Sequence, residues 1–137
     1  MGVEPLDGIA AADAHLGRRV PLPRIALPLV RWVEVFAVGP QAVEVAFNLD
    51  DSRDGAPGRL ALYAGTTAPA LRDPLAGAEP TRVDHDLTYR AAPLAEAQPS
   101  LRPVHELSWI RDGLHLRLTA QGPWPLAALT ALAQSVA

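Results

Sequence analysis

Val104-His105-Glu106-Leu107-Ser108-Trp109-Ile110-Arg111-Asp112-Gly113-Leu114-His115-Leu116-Arg117-Leu118-Thr119 is the stretch that decides the fold. Asp112-Gly113 separates two runs in which apolar and polar residues alternate. An Asp-Gly pair in that setting is a strong hairpin signal, because a type I′ turn needs positive φ at both central residues. With the turn placed there, Arg111 faces Leu114, Ile110 faces His115, Trp109 faces Leu116, Ser108 faces Arg117, Leu107 faces Leu118 and Glu106 faces Thr119. Leu107, Trp109, Leu116 and Leu118 then share one face of the pair. Glu106, Ser108, His115 and Arg117 share the other. A slip by one residue would invert both faces, so burial of the apolar one holds the register.

Downstream, Leu126, Leu129, Leu132, Ala133 and Val136 form an apolar stripe at helical spacing, with Pro125 suited to the first turn. Upstream, Thr81 to Ala91 is expected as a strand with Leu87, Tyr89 and Ala91 on one side. Arg59 to Ala64 is expected as another, with Leu60 and Leu62 inward. Val43, Val45, Phe47 and Leu49 alternate with Glu44, Ala46 and Asn48. Val30 to Val38 precedes that run across Gly39-Pro40-Gln41-Ala42, the pattern of a hairpin with a longer loop. Leu6, Ile9, Ala12 and Leu16 lie on one helical face and Gly17 stands as a C-cap, so residues 5–16 read as a short helix. Arg18 to Pro23 is an extended strap, since a residue before proline is pushed out of helical space. Asp50 to Gly58 reads as a polar turn, and Gly65 to Pro80 as a long loop of a kind that often carries function. These elements predict one α+β domain over residues 1–137. Its expected form is a curved, mostly antiparallel sheet of about six strands, with an amino-terminal and a carboxy-terminal helix packed on one face.

The chain has 137 residues, no cysteine and a formal charge of −3, and all 12 of its basic residues are arginine. Thiol catalysis and thiolate metal sites are thereby excluded. A net acidic chain without a basic stripe gives no reason to expect nucleic acid as a partner. No run reaches the roughly 18–20 apolar residues of a membrane span, so none is expected. Met1 to Asp7 lacks a basic region followed by a long apolar one, so no signal peptide is read there.

Four constellations invite chemistry and each falls short. Asp50-Asp51-Ser52-Arg53-Asp54-Gly55 resembles the first half of a calcium loop, but the position due to hold its bidentate acid is Ala61. Asp84-His85-Asp86 on a strand would put its imidazole opposite its carboxylates. His15, His85, His105 and His115 show no ligand spacing. The serines lack a nucleophile elbow. No catalytic residue, metal or cofactor is therefore assigned, and a carboxylate-dyad hydrolase or isomerase ranks third among the readings. The lead is the strand from Val30: Trp32, Glu34 and Phe36 share one side while Val33 and Val35 share the other, so both faces look apolar. Either a helix covers the Trp32, Glu34 and Phe36 face, or that face is a groove or oligomer surface where a ligand or partner binds.

The ending L-x-W-x-R-D-G-L-x-L-x-L, from Leu107 to Leu118, followed by a helix closing on Leu132-Ala133-Gln134-Ser135-Val136, resembles the extracytoplasmic domain of bacterial anti-sigma-factor-type proteins. It is similar also to the lipoprotein-localisation and sigma-regulator lipoprotein group. The likeness covers Val104 to Val136. It implies structural roles for Trp109, Gly113 and Leu116, no catalytic residue, and an extracytoplasmic location. No counterpart of the family's membrane anchor or sigma-binding helix is read in this sequence. The expectation is a non-enzymatic sensor or binding module, with a small-molecule or lipid carrier using an apolar sheet face as the alternative. The partners expected are a protein, an apolar small molecule or a second copy of the chain.

Overall fold

A computed structural model describes residues 3–27, 30–49, 59–69, 80–83, 87–92, 104–122 and 124–137. In chain order the elements are β1 (Glu4–Leu6), α1 (Ile9–Leu16), β2 (Val30–Gly39), β3 (Ala42–Leu49), β4 (Leu60–Gly65), β5 (Thr81–Arg82), β6 (Thr88–Ala92), β7 (Val104–Arg111), β8 (Leu114–Gln121) and α2 (Leu126–Ser135). The strands make one open antiparallel sheet in the order β1-β2-β3-β4-β8-β7-β6-β5. The α+β class stands, but the sheet has eight strands rather than about six.

Both additional strands come from segments that the sequence pattern assigned otherwise. Glu4–Leu6, which overlaps the helix expected over residues 5–16, pairs instead with Val35–Ala37. Gly8 at φ 97 breaks the chain between strand and helix, so α1 begins only at Ile9. Thr81 to Ala91 is a hairpin of two strands, Thr81–Arg82 against Thr88–Tyr89, closed by the Val83 N–H on the Leu87 carbonyl at 2.9 Å. The polar turn at 50–58, Asp84-His85-Asp86 and most of the 65–80 loop lie outside the described residues.

The final hairpin has the register its turn dictates: Trp109 opposite Leu116, Ser108 opposite Arg117 and Glu106 opposite Thr119. Asp112 at φ 52 and Gly113 at φ 79 form the type I′ turn. A Cβ at Gly113 would meet no atom within 4 Å, so only the backbone resists a side chain there. Gly113→Val is expected to lower stability by about 1–2 kcal/mol and Gly113→Asn by much less. Equal losses in chemical denaturation would mean that the left-handed turn is not what the glycine supplies.

The apolar face of the sheet carries Val35, Val43, Val45, Leu60, Leu62, Leu107, Trp109, Leu116 and Leu118. Ala12 and Leu16 of α1 and Leu129, Leu132 and Ala133 of α2 join them in one buried cluster. The strap passes between the helices: its Leu22 exchanges two backbone hydrogen bonds with Ala137, at 3.2 and 3.3 Å. The Val20 N–H bonds the Asp13 carboxylate at 2.8 Å. Arg18 and Arg111 then fasten the hairpin, through bonds of 2.7 Å each to the carbonyls of Asp112 and Val136. A hydrogen-bonded row, Tyr89 Oη to His105 Nδ1 at 2.8 Å and His105 Nε2 to the Gly122 carbonyl at 2.8 Å, ties β6, β7 and the exit of β8. The carbonyl can only accept, so Nε2 donates to it, and in the neutral ring Nδ1 is left to accept from the tyrosine hydroxyl.

Candidate functional site

With both helices on the apolar face, the opposite face would be expected to be wet, yet its centre is buried. Cross-strand pairing sets out a grid there. One row runs Phe36, Glu44, Tyr63, Arg117, Ser108, Thr88; the next runs Glu34, Ala46, Ala61, Thr119, Glu106, Arg90. Glu106 is only 2% exposed and Arg117 4%. Part of the cover is the segment leaving β4, whose Thr67 carbonyl accepts a 2.7 Å hydrogen bond from Tyr63 Oη. Gly65 makes this possible, because Tyr63 lies back along the strand into the space a Cβ would take.

Over β6, β7 and β8 this polar face holds a hollow of about 440 Å³, open to solvent. Thr88, Arg90, Glu106, Ser108, His115 and Arg117 supply its polar lining. Ile110, Ala68 and Pro69 supply an apolar lip. Arg90 Nη1 stands 3.6 Å from Glu106 Oε1. The Arg117 guanidinium lies over the Tyr63 ring, 5.4 Å from its centroid.

Burial pushes the Glu106 carboxyl up from the ordinary glutamate range, and the positive charges of Arg117 and Arg90 oppose that without cancelling it. The native state therefore holds this proton more tightly than the unfolded chain does. The resulting stability is present at low pH and is lost as pH rises from about 4.3 through the folded-state pKa. Glu106→Gln cannot ionise, so its melting temperature relative to wild type is expected to climb as pH is raised through that window. A difference that stays flat between pH 4 and pH 8 would contradict the raised proton affinity.

Trp32, Glu34 and Phe36 do share the polar face of β2, but β3 and β4 separate them from the hollow and none of them lines it. No described helix covers them, contrary to the packed-helix alternative, since α1 and α2 lie on the other face. Glu34 is exposed rather than buried, and accepts a 2.8 Å hydrogen bond from Asn48 Nδ2. Nor is β2 covered on both sides: Trp32 is 53% and Val33 46% exposed. The reason is topological, for β1 pairs only with residues 35–37. Among the described residues the outer edge from Val30 to Glu34 has no strand partner.

Among the described residues no three histidine, aspartate or glutamate side chains gather as a metal site. No described helix is long and apolar enough to cross a membrane. Comparison with protein-family models, curated proteins and solved structures finds no match to this chain.

Proposed function

We propose that the chain is a non-enzymatic binding module whose ligand site is the hollow on the polar face of β6, β7 and β8. The observation that carries this reading is the convergence of two arginines, a buried carboxyl group and two hydroxyls on three adjacent strands, around a space of metabolite size with an apolar lip. Polar groups fixed by rigid strands orient a ligand, and Ile110, Ala68 and Pro69 receive its hydrocarbon part. The carrier alternative then concerns this face rather than the apolar one.

The test is a thermal-shift screen of small organic acids, amines and sugars. A ligand at about a hundred times its Kd stabilises the native state by roughly 2.7 kcal/mol, a shift of several degrees. The shift should vanish in Arg90→Gln. A panel without any hit, or hits that Arg90→Gln leaves untouched, would remove the reading.

The exposed Trp32 and Val33 favour a second role for the same module, pairing of the Val30–Glu34 edge with the same edge of a second copy. Sedimentation would then show a concentration-dependent dimer that Trp32→Glu abolishes. A monomer at every concentration rejects it. The likeness of residues 104–136 to sigma-regulator domains would make such a module a sensor that reports ligand occupancy.

A further inference from the structure

The charge balance around the hollow decides what it can accept. Among the described residues, Arg90 on β6 and Arg117 on β8 face Glu106 on β7, and Glu44 on β3 stands beyond Tyr63 in the Arg117 row. His115 also lines the hollow, while Arg82 on β5 is exposed at the sheet edge and lines none of it. With Glu106 ionised, Arg90 already has a carboxylate partner at 3.6 Å. An incoming anion would then meet a buried carboxylate beside the arginine it needs, and two carboxylates held that close do not both stay ionised.

A single proton removes the conflict. With Glu106 neutral, Arg90 no longer faces a carboxylate on β7 and offers one positive charge, which one negative charge matches and a dianion overshoots. The same proton turns the Glu106 carboxyl from an acceptor into a donor, so it can hydrogen-bond the anion instead of repelling it. Burial already favours this protonated form. Ser108 lies directly across from both Arg117 and Thr88, so two hydroxyls stand one row away from Arg90 and Glu106. Planar guanidinium groups suit a carboxylate, held through paired N–H donors.

Resting on the binding reading above, we propose that the hollow takes a small organic monocarboxylate, seated on Arg90 and the Ser108 and Thr88 hydroxyls, and that Glu106 takes up one proton as it binds. The proton comes from solvent and stays between the Glu106 carboxyl and the ligand carboxylate; no bond to carbon changes.

The experiment is calorimetric titration of the full chain with acetate, butyrate, benzoate, succinate and inorganic phosphate, in imidazole and Tris buffers from about pH 5 to about pH 9. Wild type is expected to bind a monocarboxylate with a Kd that rises by up to about tenfold per pH unit on the alkaline side, with proton uptake over that range. Glu106→Gln should bind the same acid with that dependence gone, and about tenfold or more tighter than wild type at the alkaline end. His115→Gln, which removes an imidazole from the lining, should still bind with a pH-dependent Kd whatever its affinity, which separates the glutamate from the imidazole. A profile that is flat in wild type, or that survives Glu106→Gln, overturns the proton uptake while leaving the binding reading in place. Stronger binding of succinate or phosphate than of any monocarboxylate overturns the monoanion assignment. If no probe binds either wild type or Glu106→Gln, with both folded by circular dichroism, the monocarboxylate inference falls, while the binding reading stands or falls on the wider thermal-shift screen.

Discussion

Gly65→Val is expected to cost about 3 kcal/mol and to lower the melting temperature by roughly 10 °C. A Cβ at Gly65 would come within 2.8 Å of Tyr63 Cζ and 2.9 Å of Ala42 Cβ, and closer still to the Tyr63 hydroxyl. An exposed tyrosine could swing away. This one is tied to the Thr67 carbonyl and lies under the Arg117 guanidinium, so moving it disturbs the cover of the polar face and an arginine of the site together. Ala42 is backbone-near and has nowhere to go. Gly65→Val/Tyr63→Ala should recover part of the loss, because the second change empties the contested space. A single variant as stable as wild type would show that the ring is free to move.

Arg117→Met is expected to cost about 3–5 kcal/mol, the usual effect of removing one partner from a buried charge cluster. Methionine keeps the stem and loses the charge, leaving Glu106 with Arg90 as its only cation among the described residues that line the hollow. The loss should be larger above the raised pKa of Glu106 than below it, since the protonated carboxyl no longer needs the guanidinium. Arg117→Met/Glu106→Gln should then be more stable at pH 8 than Arg117→Met alone, with a coupling of about 0.5–3 kcal/mol. Additive losses in chemical denaturation would mean that the two groups do not interact.

The last hairpin was legible to the residue because one feature, Asp112-Gly113, fixed its register and strict alternation fixed its faces. The same rules failed at Glu4–Leu6, where apolar spacing suits a helix but pairing with Val35–Ala37 wins and Gly8 supplies the break. Short strands at sheet edges owe their existence to a partner strand, and local pattern carries no trace of the partner. The site was half visible. Glu106, Ser108, His115 and Arg117 could be put on one face from the turn alone, but a polar face reads as a solvated one until its cover is known. Arg90 was out of reach, because residues 93–103 separate β6 from β7 and leave their register undetermined by any turn. Trp32, Glu34 and Phe36 were correctly placed on a common face; that face meets solvent at one end because β1 is only three residues long.

The strand order has a kinetic side. Two four-stranded meanders, β1 to β4 and β5 to β8, meet only where β4 pairs with β8, Leu62 opposite Leu118. Each meander can form from nearer neighbours in sequence, whereas the seam joins residues fifty to sixty positions apart and must wait for both. Until it closes, β4 is an edge strand of Leu60-Ala61-Leu62-Tyr63-Ala64 without a charge or a proline to guard it. The half-folded chain is therefore most vulnerable to self-association at the strand that ends up in the middle of the finished sheet, and the nascent chain carries that risk until β8 has been synthesised.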